Sequence, residues 1–293
     1  MAAIFGYCFQ RFRVLWVLFF IMSTAGCAYN VATGRRELIL IPTTTEISMG
    51  RDIHRRIASS DKFSADKELV ARIDRIGQKL ARVSDRQDYQ YHFFVIEKDE
   101  LNAFTIPGGN IYIYTGLVNK LKSDDEIAAV LAHEIGHCAA RHTIKKFQAA
   151  VGYDLIGGII LNEVGMQEQV RRIASMSSSA VMRLVFSAYG RQDEHESDKL
   201  GLKYMDLAGY DLDGMVGSFQ VLEKESKGPD VPLILRTHPY ISDRIKAVRE
   251  EIQKIRSGGT TMSPRQRSSV NCFYEIQTTN DEIRCKSPWN ALV

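Results

Sequence analysis

His133-Glu134-Ile135-Gly136-His137 is the stretch whose reading decides the fold. Two imidazoles four residues apart lie on one face of a helix, and neutral imidazole is a good zinc ligand. Glu134 is then held beside the metal without binding it. Three specified residues are a weak signal alone; the competing reading is a buried helix whose histidines are satisfied by hydrogen bonds. The surroundings mark a true helix. Ser123-Asp124-Asp125-Glu126 has the form of a capping box, and the two aspartates suit the positive end of the helix dipole. Ile127, Val130, Leu131, Ile135 and Cys138 follow at helical spacing, so the segment is largely buried and Cys138 reads as a small core residue. A buried helix needs a reason to carry two histidines on one stripe, and a metal is the economical one.

A third ligand has to come from elsewhere in the chain. Asp193-Glu194-His195-Glu196-Ser197-Asp198 lies in a stretch from Arg191 to Leu207 that reads as a helix closed by Gly209. Glu194 and Asp198 share a face, whereas Glu196 points away from it. Glu194 then serves as metal ligand. Asp198 accepts a hydrogen bond from a ligand histidine's free N–H, which fixes its tautomer and raises its basicity. The bland alternative is a solvated acidic face.

Here the chain resembles a family, the gluzincin zinc metallopeptidases, and within them the prenyl-protease and HtpX-like proteases in their soluble bacterial lipoprotein branch, the LoiP- and BepA-like periplasmic proteases. The likeness runs from about Pro42 to Ile255. It rests on an ordered series: Asn102-Ala103-Phe104 with Pro107-Gly108-Gly109, Tyr114-Thr115-Gly116-Leu117, the HEIGH helix with Arg141-His142, Glu194 to Gly201, Ala208-Gly209-Tyr210-Asp211, and Thr237-His238-Pro239 with Arg244. The resemblance implies an α+β fold, a mainly helical zincin-like domain with a small β-sheet or hairpin next to the active-site helix. It also implies one Zn2+ per chain on His133, His137 and Glu194, with Asp198 and Arg244 behind the ligands, and misfolded or misassembled envelope proteins as substrates.

Other segments have physical readings of their own. Tyr91 to Glu97 is aromatic and β-branched, as a strand is, and Ile111 to Tyr114 is a second. Pro107-Gly108-Gly109 reads as the tight reversal before it. In the resembling family this hairpin borders the cleft, so the backbone of Asn102, Ala103 and Phe104 is the expected substrate-binding edge; the aromatics otherwise pack the core. His238 precedes Pro239, just before a helix starting near Ser242. It either blocks the fourth coordination site or donates to the oxyanion of the tetrahedral intermediate. Arg244 does the latter or anchors the loop. His54, His92 and His195 read as surface or packing residues, as does His142, with a supporting role at the site through the family likeness.

Composition suits a folded, exported enzyme. At 293 residues and 45% hydrophobic the chain can bury a good-sized core. The formal charge is +3, and without the two leader arginines, Arg11 and Arg13, it is +1. No basic field remains for phosphates, so nucleic acid is not an expected partner.

Residues 1–26 read as a signal peptide: Arg11 and Arg13, an apolar run Val14 to Met22, then Ser23-Thr24-Ala25-Gly26 before Cys27. This resembles a lipoprotein signal with Cys27 as the lipidated N-terminus, although Thr24 replaces the usual leucine. An ordinary cleaved signal and a retained anchor are the alternatives. Ala28 lacks the inner-membrane retention signal, which points to the periplasm and outer-membrane attachment. Residues 27–43 are then a lipidated N-terminus and linker, 44–257 the metallopeptidase domain, and 258–293 a polar tail in which Cys272 and Cys285 are able to pair. Helices are expected over Glu46 to Ala58 and Ala65 to Val83. The apolar stretch Val151 to Gly165 is too short and interrupted to cross a bilayer and reads as a flap or hinge.

Two function classes follow. One is a zinc endopeptidase in which Glu134 is the general base. The other is a metal-stabilised chaperone-like or binding module with latent proteolytic activity. An intact Glu134 favours the first.

Overall fold

The computed structural model describes residues 27–39, 41–150, 176–228 and 230–258. The signal segment, the 151–165 stretch and the two tail cysteines lie outside these residues.

Among the described residues the fold is α+β and mainly helical, with two small sheets. In the larger sheet β3 (His92–Ile96) runs parallel to β5 (Asn110–Tyr114), and β4 (Ala103–Ile106) pairs antiparallel with β5 on its other side. The turn from β4 to β5 holds Gly108 and Gly109 at φ 79° and 80°, a conformation costly for any residue with a Cβ. Residues 92–96 and 110–114 match the two expected strands closely.

β5 is buried on both faces, and its alternation sorts the core. Ile111 and Ile113 belong to one apolar cluster, with Ile73, Ile76 and Leu80 of helix α2 (Lys67–Ala81) and Leu131 and Ile135 of the HEIGH helix. Tyr112 and Tyr114 belong to the other, with Ile53 and Ile57 of α1 (Thr43–Ser60), Phe104 and Phe147. Each fully buried isoleucine contributes about 1.5–3 kcal/mol. The sheet is thus a layer between helices, with the HEIGH helix against the β4 side.

After α3 (Thr115–Lys120), the HEIGH helix is α4 (Asp124–Ala139). Ser123 caps it as expected, accepting from the Glu126 amide at 3.2 Å. Glu126 reaches one residue further back than a capping box requires, accepting from the Lys122 amide at 2.6 Å. Then come α5 (Ser178–Val185), α6 (Arg191–Ala208), α7 (Asp213–Glu225), the short turn α8 (Leu233–Thr237) and α9 (Ile241–Arg256). Gly209 closes α6 in the left-handed conformation at φ 67°, as the sequence requires.

Residues 27–38, expected to be linker, are instead a two-stranded ribbon: β1 (Cys27–Asn30) antiparallel to β2 (Arg35–Leu38). The strands are four residues long with no clear alternation, too short for periodicity to reveal. Contacts with the body define them. Asn30 Nδ2 donates to the Ala140 carbonyl at 3.2 Å, and Lys145 donates to Glu37 at 2.8 Å.

Candidate active site

Two helices build the centre, and small residues let them meet. A Cβ on Gly136 would come within 2.7 Å of the Ser197 carbonyl, and one on Gly201 within 3.2 Å of the His133 amide. Ser197 Oγ also donates to the His133 carbonyl at 2.6 Å. This close approach of α4 and α6 brings Glu194 and Asp198, one turn apart on α6, to the two histidines, as their spacing implies.

His133 Nε2 and His137 Nε2 are 3.0 Å apart. Glu194 Oε1 lies 3.4 Å from His137 Nε2, and Glu194 Oε2 lies 3.6 Å from His133 Nε2. His238 Nδ1 completes the group, 3.2 Å from His133 Nε2 and 3.1 Å from Glu194 Oε1. All four residues are buried. A tetrahedral centre with N and O ligands about 2.0–2.1 Å away has its ligand atoms about 3.3–3.4 Å from one another. The observed separations scatter about that edge length.

Proton inventory leads to the same conclusion. Asp198 Oδ1 is 2.8 Å from His133 Nδ1. Burial alone would raise Asp198, but Arg244 overrides it and holds the carboxyl below its ordinary range. As a carboxylate it only accepts, so His133 Nδ1 carries a proton, and Nε2 is the ring nitrogen turned toward the group. Arg244 Nη2 donates to the same oxygen at 2.6 Å. On the other side, His142 Nε2 donates to Glu196 at 3.0 Å. This leaves His142 Nδ1 to accept from His137 Nδ1 at 2.9 Å. Burial holds His142 down to about 3 and His137 well below its ordinary value, so both are neutral. The Nε2 atoms of the two imidazoles therefore face each other at 3.0 Å beside a carboxylate. Only a cation suits the space between them, and the donor set fits one metal ion.

Glu194 sits in a strong positive field. Burial would raise its pKa, but Arg244 and His238 outweigh that and keep it ionised well below the usual range. Arg244, fully buried on α9, contacts Glu194, donates to both oxygens of Asp198, and reaches the His238 carbonyl at 3.5 Å. Of its two expected roles, anchoring is the one this geometry displays. Glu134 is buried next to the group. Its Oε1 is 3.5 Å from His238 Nε2, and Oε2 has no hydrogen-bond partner. Burial raises its pKa, and the charges of His238 and His133 only partly offset this.

Not every expected site residue stands open. Asn102, Ala103 and Phe104 are 0–3% exposed, with Phe104 packed edge-on against Phe186. They border α4 as expected, but nothing reaches them from solvent in this conformation. Two contributors, Glu196 and Tyr189, escaped the sequence reading, and a third, His142, was anticipated only through the family likeness. Glu196 does point away from Glu194 and Asp198, yet it supports His142. His142 is itself a buried partner of a ligand rather than a surface residue. Tyr189 stacks on His137 with ring centroids 3.8 Å apart. No spacing rule ties a lone tyrosine to a ligand far upstream in the chain. His54 stacks among Phe63, Phe94 and Tyr112, a packing residue as expected.

A buried His-His-Glu-His metal group with a glutamate pressed beside it defines the class: a metalloprotease of the HEXXH type. Comparison with known proteins narrows this. The model of peptidase family M48 matches residues 68–252, and the chain belongs to that family. It is 25% identical to a beta-barrel assembly-enhancing protease of Yersinia pestis over 74% of this chain and 46% of the relative. It is 31% identical to the mitochondrial metalloendopeptidase OMA1 of Arabidopsis thaliana over 57% of this chain and 32% of the relative. The metalloprotease YcaL of Escherichia coli is 23% identical over 75% of this chain and 92% of the relative. The chain thus spans less than half the length of the assembly-enhancing proteases it matches. Among the described residues no helix is long and apolar enough to cross a membrane.

Proposed function

We propose that this metalloendopeptidase uses zinc to cleave misfolded or misassembled proteins of the bacterial envelope, held at the periplasmic face of the outer membrane through lipidated Cys27. The observation that carries the catalytic part is the convergence of His133 Nε2, His137 Nε2, a Glu194 oxygen and His238 Nδ1, with Glu134 unsatisfied beside them. The substrate class and location are supported by the leader sequence and by the assembly-enhancing proteases among the relatives.

His133, His137 and Glu194 would hold the ion. Zinc, when bound there, supplies a Lewis acid that polarises the scissile carbonyl and acidifies water. The remaining chemistry belongs to the chain. Glu134 takes a proton from the attacking water and delivers it to the leaving amine nitrogen. Asp198 and the His142–Glu196 pair hold the two imidazole tautomers fixed. Of the two roles open to His238, the geometry favours the block: its Nδ1 fills the fourth corner of the group. With His238 as a fourth ligand the site would be closed, and turnover would then require His238 to swing out. Substrate backbone would then pair along the β4 edge near Asn102 to Phe104.

Glu134→Gln should keep one zinc per chain by elemental analysis and lose about 10²–10⁴-fold in cleavage of an unfolded casein. Unchanged cleavage would overturn the assignment. The closed site also favours a second reading, a metal-stabilised chaperone-like module. His238→Ala separates the two: a latent peptidase becomes more active, whereas a binding module gains nothing.

A further inference from the structure

We propose that the β1–β2 ribbon is a bilayer-docking surface, with Tyr29, Val31, Arg36 and Leu38 seated at the membrane–water interface. The inference goes beyond proteolysis and rests on the membrane attachment proposed above.

The ribbon's two faces differ. Asn30 pairs with Arg35 in the register, and by alternation they share a face with Glu37. That face is fastened to the body: Asn30 to the Ala140 carbonyl, Glu37 to Lys145, Arg35 to Glu196. Tyr29 pairs with Arg36 and, with Leu38, falls on the opposite face; Val31 sits in the connecting turn. Tyr29, Val31 and Leu38 are 64%, 65% and 54% exposed, and the other large exposed hydrophobics among the described residues are Val231 and Tyr240. Three such residues within ten positions are a concentration, not the scatter normal for a protein surface.

Chemistry and chain position name the occupant. A tyrosine, two aliphatics and an arginine form the set that settles at a lipid interface, the ring at headgroup level and the cation against phosphate. The chain also reaches the ribbon directly from the leader. An acylated Cys27 puts the anchor on the first residue of β1, and a retained apolar run Val14 to Met22 leaves only four residues before it. The apolar face is then held at the bilayer surface by connectivity. A protein partner has no such tether to bring it there.

The test uses the full chain, processed in its host and reconstituted into phosphatidylethanolamine–phosphatidylglycerol vesicles with brominated acyl chains. Trp16→Phe and Trp289→Phe provide a silent background for single Tyr29→Trp, Leu38→Trp or Val231→Trp substitutions. Seating at the interface predicts quenching of about twofold or more at positions 29 and 38, and none at 231. Vesicle-bound protein with no quenching at 29 and 38 overturns the docking surface while leaving the anchor intact. Protein that does not float with vesicles overturns both. Dimerisation with unquenched tryptophans would assign the face to a second copy and likewise overturn the proposal. Casein cleavage in the same samples reads the peptidase independently.

Discussion

Two buried polar clusters lie on either side of Cys138, and they differ in what they lack. In the first, Glu46 receives both terminal nitrogens of Arg86 at 3.0 and 2.7 Å, and Arg141 at 3.1 Å. Arg86 also donates from Nε to Asp88 at 2.8 Å and from Nη1 to the Cys138 carbonyl at 3.2 Å. Two cations meet two anions, and the cluster closes on itself apart from Arg141 Nε. In the second, Glu134, Glu194 and Asp198 face one guanidinium, Arg244, with the imidazoles of His133, His137 and His238 between them. The three carboxylates exceed the one guanidinium by two charges, and four possible ligand atoms converge on one point. Burial alone therefore does not mark a functional site. A buried cluster left incomplete by one divalent ion does.

The contrast can be broken most forcefully at Arg86. Arg86→Met leaves Glu46 with Arg141 as its one remaining cation and should cost up to about 3–5 kcal/mol in denaturant unfolding, with or without chelator. A loss that appears only after metal removal would mean the two clusters are one. Next comes the metal. Stripping it should lower stability by about 4 kcal/mol if free metal had stood near a thousand times its dissociation constant. Thermal melts with and without chelator measure this, and the same treatment should leave a Glu194→Ala variant unmoved. Gly136→Ala forces α4 and α6 apart and should cost about 1–3 kcal/mol while weakening metal retention against a competing chelator. Full metal retention would show that the close approach does not set the ligand geometry. The smallest effect is at the joint itself. The Cys138 thiol, pushed up to about 12 by burial, should label with a thiol reagent only after unfolding.

Much of the site was legible because its signals are local. The two histidines share a turn, Glu194 and Asp198 share another, and each helix has a readable end at Ser123 or Gly209. What stayed hidden depends on contacts between distant segments. His238 was named from the sequence with two roles open, but it follows His133 by 105 positions, and the choice between those roles depends on how α8 and α9 pack its ring against the metal group. The side-by-side pairing of β3 with β5, skipping β4, is another case, because either strand pattern alone fits several sheet orders. Glu196 was placed on the correct helix face, but its use was invisible until His142 stood opposite. The ribbon at residues 27–38 was missed for the reason that makes it interesting: its apolar side chains do not alternate into a core.

The two imidazoles of the HEIGH helix are steered from opposite ends of the chain. His133 is oriented by Asp198 and Arg244, deep in the C-terminal half. His137 is oriented by His142 and Glu196, and Glu196 is gripped in turn by Arg35 of the N-terminal ribbon. A disturbance arriving through the N-terminus therefore reaches one ligand and spares the other. It tilts the coordination lopsidedly instead of loosening it evenly.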